Sequence, residues 1–178
     1  PPRPLPAPVQ ASDPAAAQVA TTAVVAPLSE EMATPYFRTG DAHTGATAFA
    51  AQRWKDARLA FELARNAAKG EDAARLDLML GLCNSEIGNW QRAAEQLLAA
   101  RKQLPLLADY LGYRAASALY FANQPTKALA IANSVAGDSI VGPEAELLVD
   151  DVLRGSGDPQ AVAAHYRDYL TRRPSGPR

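Results

Sequence analysis

The feature that most constrains this 178-residue chain is a set of small and large residues at fixed spacing in its middle. In chain order, its members are Leu80, Gly81, Gly88, Trp90, Ala93, Leu97, Ala100 and Pro105. Gly81 and Ala93 are small enough to let two helix backbones approach closely, and Leu97 is large enough to fill the gap beside them. Pro105 cannot continue a helix. The pattern predicts two closely packed helices joined at the turn glycine, Gly88.

The small residue of the second helix recurs along the chain. Its copies are Ala57, Ala93, Ala128 and Val162, separated by 36, 35 and 34 residues. Spacings near 34 are typical of the two-helix tetratricopeptide repeat. The copy around Ala93 is the clearest and the copy around Ala57 is good, whereas the last two are degenerate. We therefore predict an all-α fold: a right-handed α-superhelix of about four tetratricopeptide-like repeats, or eight helices, with a concave face.

The first 34 residues have a different composition. Eight of the 14 prolines lie within the first 35 residues, among alanine, valine, glutamine and threonine. Such a segment lacks the large apolar side chains that would offset the entropy of ordering it. We expect residues 1–34 to be a disordered Pro/Ala-rich linker and residues 35–178 to be the helical-repeat domain.

Charge and hydropathy exclude several classes of partner. The 18 basic and 19 acidic residues are well mixed and give a net charge of −1, which argues against a nucleic-acid or membrane-surface partner. No apolar run approaches the roughly 18–20 residues of a membrane-spanning helix. The single cysteine, Cys83, rules out an internal disulfide and lies in an apolar stretch, so we expect a small buried side chain.

No pattern in the chain predicts catalysis, metal binding or a cofactor. His43 and His165 are far apart in the repeat order and belong to no ligand-spaced cluster. Asp150 and Asp151 are neighbours, about 100° apart around a helix, so they cannot act together as acid and base. We expect a noncatalytic domain that works through its grooves.

The fifth predicted helix, residues 107–122, carries the candidate groove. Residues that recur at three- and four-residue spacing share one face, and the repeat register places that face on the concave surface. The candidate binding residues are Tyr110, Tyr113, Arg114, Ser117, Tyr120 and Phe121. Aromatic rings with a hydroxyl and a guanidinium suit a sugar strand or an extended peptide. The alternative is that the tyrosines fill space between alanine-rich repeats.

The segment Leu106-Leu107-Ala108-Asp109-Tyr110-Leu111-Gly112-Tyr113-Arg114 resembles the hydrophobic-Ala-Asp-Tyr-x-x-Tyr segment in the α-superhelical region of soluble-type bacterial lytic transglycosylases. The entry Thr34-Pro35-Tyr36-Phe37 and the later Phe49 and Trp54-Lys55-Asp56-Ala57 are also similar to that region. The resemblance covers roughly residues 34 to 178. It implies a periplasmic or cell-envelope protein whose whole chain cleaves peptidoglycan through a downstream lysozyme-like domain. The Glu-Ser, Gly-Leu-Met-Gln and Tyr-Asn-Ala-Gly segments of that domain do not occur here, so no catalytic residue carries over.

Two functions follow. The first is the noncatalytic superhelical part of a peptidoglycan lytic transglycosylase that acts in cell-wall remodelling, with a glycan strand or a protein as partner. The alternative is a tetratricopeptide adaptor that binds a protein partner in an envelope assembly, secretion or motility machine. The last predicted helix adds a further expectation, because its apolar stripe is wide for a terminal helix. The stripe consists of Val162, Tyr166, Tyr169 and Leu170. We expect a downstream domain or a second copy of the chain to pack there.

Overall fold

The computed structural model describes residues 36–157 and 159–172, and this part of the chain contains eight α-helices and no strand. In chain order the helices are α1 (Gly40–Ala50), α2 (Trp54–Ala67), α3 (Gly70–Glu86), α4 (Trp90–Arg101), α5 (Ala108–Phe121), α6 (Pro125–Ala132), α7 (Gly142–Ser156) and α8 (Pro159–Arg172). A short 3₁₀ turn, Pro105–Leu107, precedes α5. Each helix packs against the next, as in a helical-repeat superhelix. The predicted all-α repeat fold is confirmed, whereas the predicted linker, residues 1–34, lies outside the described residues.

The turns inside the four repeats share one backbone geometry. One residue in each turn has a left-handed backbone, and these residues are Gln52, Gly88, Asn123 and Gly157, with φ of 57°, 79°, 57° and 77°. In the first three turns, the following residue donates its backbone N–H to the carbonyl five residues back. These bonds join Arg53 to Ala48, Asn89 to Asn84 and Gln124 to Leu119, at 2.9, 2.8 and 2.9 Å. The turns are separated by 36, 35 and 34 residues, the same spacings that the small residues predicted.

The small residues lie where the paired helices come closest. A β-carbon built on Gly45 would lie 2.7 Å from the Phe61 ring. Ala93 has no exposed surface, nor has Ala116, which occupies the position of Gly81 in the third repeat. These positions confirm the steric role predicted from the sequence. The fourth repeat departs from it, because the corresponding residue is Asp150.

Three buried clusters form the core, and alanine supplies much of each. The first joins α1, α2 and α3 around Phe61 and includes Cys83, which is fully buried as predicted. The second joins α3, α4 and α5 around Leu97 and Leu111. The third continues from α4 through α7. Because alanine side chains are short, the helices pack closely and the few large side chains fix their relative positions.

The terminal helix α8 has a partly uncovered apolar stripe. Tyr169 is 3% exposed, whereas Tyr166 and Leu170 are 37% and 51% exposed. Tyr166 occupies the repeat position at which Phe61 and Leu97 are fully buried. That a further domain or a second copy covers this stripe stays a prediction.

Candidate functional site

The six residues predicted for the groove all lie on α5, which runs from Ala108 to Phe121. Their side chains divide into two groups. Tyr110 packs against the cluster around Leu97, and Tyr113 and Tyr120 pack against the cluster that continues through α7. The other three, Arg114, Ser117 and Phe121, line a surface cavity. The structure therefore gives the tyrosines the space-filling contacts of the alternative interpretation and places the other three along the wall of a surface cavity. Whether any of the six binds a ligand stays a prediction.

This cavity, which we call the α3–α5 cavity, has a volume of about 400 Å³. It lies between the end of α3, the start of α4 and the second half of α5. Its lining residues are Ser85, Glu86, Gly88, Trp90, Arg114, Ser117, Ala118 and Phe121. The walls thus come from two successive repeats.

An aromatic pair forms one wall of the α3–α5 cavity. The rings of Trp90 and Phe121 are stacked, with centroids 4.8 Å apart and an interplanar angle of 30°. Phe121 is nevertheless 60% exposed. A large apolar side chain held in place at the surface by a second ring is a rigid contact for an incoming side chain, with little entropy left to lose on binding.

The polar side chains of the cavity offer both acceptors and donors to a ligand. The hydroxyls of Ser85 and Ser117 donate to the carbonyls of Gly81 and Tyr113, each at 3.0 Å, so each hydroxyl oxygen keeps its capacity to accept a hydrogen bond. Arg114 Nη2 lies 3.8 Å from Glu86 Oε1. At that separation the pair is an ion pair without a direct hydrogen bond, and both groups keep the capacity to bond to a ligand.

Sequence reasoning missed the part of this cavity that α3 and α4 supply. Trp90 enters the sequence pattern only as a marker of the repeat. Ser85 and Glu86 lie 35 residues before Tyr120 and Phe121, so the repeat register itself placed them beside α5. Following each groove residue back by one repeat would have found them.

The histidines contact main-chain carbonyl oxygens. His43 Nδ1 lies 3.0 Å from the Phe37 oxygen, and His165 Nε2 lies 2.9 Å from the Glu146 oxygen. Within the described ranges, no three His, Cys, Asp or Glu side chains converge as metal ligands would. No helix in that part of the chain is long and apolar enough to cross a membrane.

One solved structure with a similar fold is that of the Rap conjugation gene regulator of the plasmid pLS20 in complex with the Phr* peptide. It aligns with a TM-score of 0.55 and 15% sequence identity, over 86% of this chain and 47% of the regulator. This chain thus spans about half of the regulator's length. At that identity the likeness shows the fold alone. The chain has a helical-repeat fold similar to that of the regulator.

Neither a protein-family profile nor a curated protein matches this sequence at a significant level.

Proposed function

We propose that this domain is a noncatalytic scaffold that binds an extended segment of a protein partner in the α3–α5 cavity. The observation that carries the proposal is the Trp90–Phe121 stack, which keeps a large ring 60% exposed beside a cation and an anion. Burying such a ring against a partner would remove apolar surface from water. The ring is already held at the surface, so this contact requires no rearrangement of the domain. The similar regulator was solved with a peptide bound, which supports a peptide as the ligand class.

The partner's setting is part of the proposal. An adaptor of this kind would serve an assembly, secretion or motility machine of the bacterial cell envelope, with the periplasm as its compartment. The resemblance of residues 106–114 to an envelope family supports that compartment.

The test is a selection of random displayed peptides on the immobilised whole chain. Enriched peptides are synthesised and their affinities are measured by fluorescence anisotropy. We expect Phe121→Ala and Arg114→Ala each to weaken binding about tenfold, the loss expected when an anchoring contact is removed. Leu63→Ala is the matched control, because Leu63 is also 60% exposed but lies on α2, away from the cavity. A pool without enrichment, or equal binding by the Phe121 variant and the wild type, contradicts the proposal.

The superhelical part of a lytic transglycosylase is the second candidate. It is supported by the resemblance of residues 106–114 and by the position of that segment, since Leu106 is 99% exposed and Leu107 41% exposed beside α5. Exposed leucines of this kind suit packing against another domain. Cosedimentation with purified sacculi tests this function. The domain should still cosediment with sacculi after Tyr113→Ala and Tyr120→Ala, whereas an unrelated helical-repeat protein should stay in solution. That result favours wall binding outside the face that carries the tyrosines.

A further inference from the structure

The edge of the first two repeats at which their internal turns lie carries two equivalent tryptophans. Trp54 and Trp90 are each the first residue of the second helix in their repeat. Trp54 meets Phe49 edge to face, with ring centroids 4.9 Å apart, and Trp90 stacks on Phe121. The same repeat position thus places a large indole ring at one edge of the molecule twice.

Each tryptophan borders a cavity along this edge. The first has a volume of about 350 Å³ and is lined by Gln52, Arg53, Trp54, Lys55, Asp56 and Ile87. The second has a volume of about 470 Å³ and is lined by Gly88, Asn89, Trp90, Gln91, Arg92 and Ala122. Ile87 of the first cavity and Gly88 of the second are consecutive, and the second cavity shares Gly88 and Trp90 with the α3–α5 cavity. We call the strip formed by these two cavities together with the α3–α5 cavity the turn-edge surface.

The turn-edge surface has an excess of positive charge. Its two acids, Asp56 and Glu86, each lie near a cation. Arg53 approaches Asp56 at 3.5 Å, and Arg114 approaches Glu86 at 3.8 Å. Two further cations, Lys55 and Arg92, remain on the strip.

The charges of Lys55 and Arg92 are poorly compensated within the described part of the chain. No acidic side chain in that part of the chain lies within ion-pair distance of Lys55. Arg92 is 66% exposed and reaches Glu62 only at 3.9 Å, while Arg58 already binds the same Glu62 oxygen at 2.6 Å. The strip is therefore cationic on a chain whose net charge is −1. Such a local field favours an anionic partner in both orientation and rate of encounter.

We infer that the turn-edge surface binds an extended acidic segment of the partner protein. Apolar side chains of that segment enter the cavities beside Trp54 and Trp90, and its carboxylates pair with Lys55 and Arg92. The indole rings supply apolar contact area. The two cations fix the position of the segment along the surface and select for negative charge. This inference rests on the proposed function and adds the chemistry of the partner.

The displayed-peptide selection tests the inference through the composition of the enriched sequences. We expect Asp and Glu to be enriched next to Leu, Phe or Trp. Displayed peptides of eight residues or more, which reach about 26 Å when extended, suit the selection. Its affinity should fall as salt is raised, since exposed charges are screened.

A charge-reversed variant then locates the site on the whole chain. Lys55→Glu with Arg92→Glu should weaken binding of an enriched acidic peptide about tenfold or more, because attraction becomes repulsion. The matched control is Lys69→Glu with Lys102→Glu. It changes the net charge equally, at the opposite ends of the helices of the same two repeats. Binding by the control variant should stay within about twofold of the wild type, a change below the size of a single interface contact.

The outcomes separate this inference from the function on which it rests. Enriched peptides that are neutral or basic, or that bind the Lys55/Arg92 variant as tightly as the wild type, overturn the acidic partner and leave the binding scaffold in place. Equal losses in the variant and the control overturn the assignment of the turn-edge surface, since any charge reversal would then suffice. A pool with no enrichment overturns both.

Discussion

A β-carbon built on Gly81 would lie 2.6 Å from the Cγ atom of Leu97. Leu97 is fully buried in the second repeat, so it has no space into which to retreat. The contact leaves no room for a β-carbon between α3 and α4 and explains why the sequence pattern has glycine there.

Gly81→Ala should therefore destabilise the domain, although alanine is the better helix former. We expect a loss of about 1–3 kcal/mol in the free energy of unfolding, the usual cost of overpacking a buried contact. Urea denaturation followed by circular dichroism measures it. Gly155→Ala is the control, because nothing lies within 4 Å of a β-carbon built at that helical position. It should be neutral or stabilising by up to about 1 kcal/mol, and equal losses in both variants would argue against the steric explanation.

The turn residues give a prediction in the opposite direction. Gln52 has a φ of 57° at the position that Gly88 and Gly157 occupy in other repeats. A residue with a β-carbon costs roughly 1–2 kcal/mol in that conformation. Gln52→Gly should therefore stabilise the domain by about 0.5–1 kcal/mol after the entropy of the unfolded chain is counted. Gly88→Ala should lower the free energy of unfolding by about as much as Gln52→Gly raises it. Thermal unfolding of the two variants and the wild type measures both changes.

The repeat register could be predicted from sequence because it depends on residues that act locally. Small residues such as Gly81 and Ala93 permit close backbone approach wherever they occur, so the spacing of the small residue in the second helix, from Ala57 to Val162, alone predicted four units. The candidate site could be predicted only in part. Phe121 is on the expected face, but its ring stacks on Trp90 from the preceding repeat, and a contact between repeats depends on how they pack together. For the same reason, periodicity could not separate Tyr113, which packs on the core, from Phe121, which is exposed.

Cys83 makes the stability of the domain sensitive to alkaline pH. Burial raises the pKa of its thiol from the usual 9.0 to about 11. Between those values the unfolded chain releases the thiol proton while the folded chain keeps it, so stability falls as pH rises. The contribution is complete below pH 9 and its loss through pH 11 amounts to about 2–3 kcal/mol. Unfolding measured against pH for the wild type and Cys83→Ala isolates this effect, since lysine and tyrosine titrations are common to both. Parallel curves for the two proteins would contradict it.

Asp150 provides the sharpest test of how far the repeat rule extends. It occupies in α7 the position held by Gly45, Gly81 and Ala116, where the paired helices come closest. Its side chain is 2% exposed, and neither carboxylate oxygen accepts a hydrogen bond within the described part of the chain. Arg154 approaches one oxygen at 2.9 Å, but it is 56% exposed and also bonds to Asp151 at 2.6 Å.

A buried carboxylate without hydrogen bonds costs more than such a shared, solvated cation returns. Asp150→Ala restores the small side chain of the other repeats and leaves Arg154 paired with Asp151. We expect it to raise the free energy of unfolding by about 1–2 kcal/mol, within the range seen when buried ionic groups are replaced by apolar ones. Asp151→Ala removes an acid that is 53% exposed and should change stability by less than about 0.5 kcal/mol. If Asp150→Ala instead unfolds at lower urea than the wild type, the ion pair with Arg154 stabilises the fourth repeat, and the rule of a small residue at the helix crossing ends with the third.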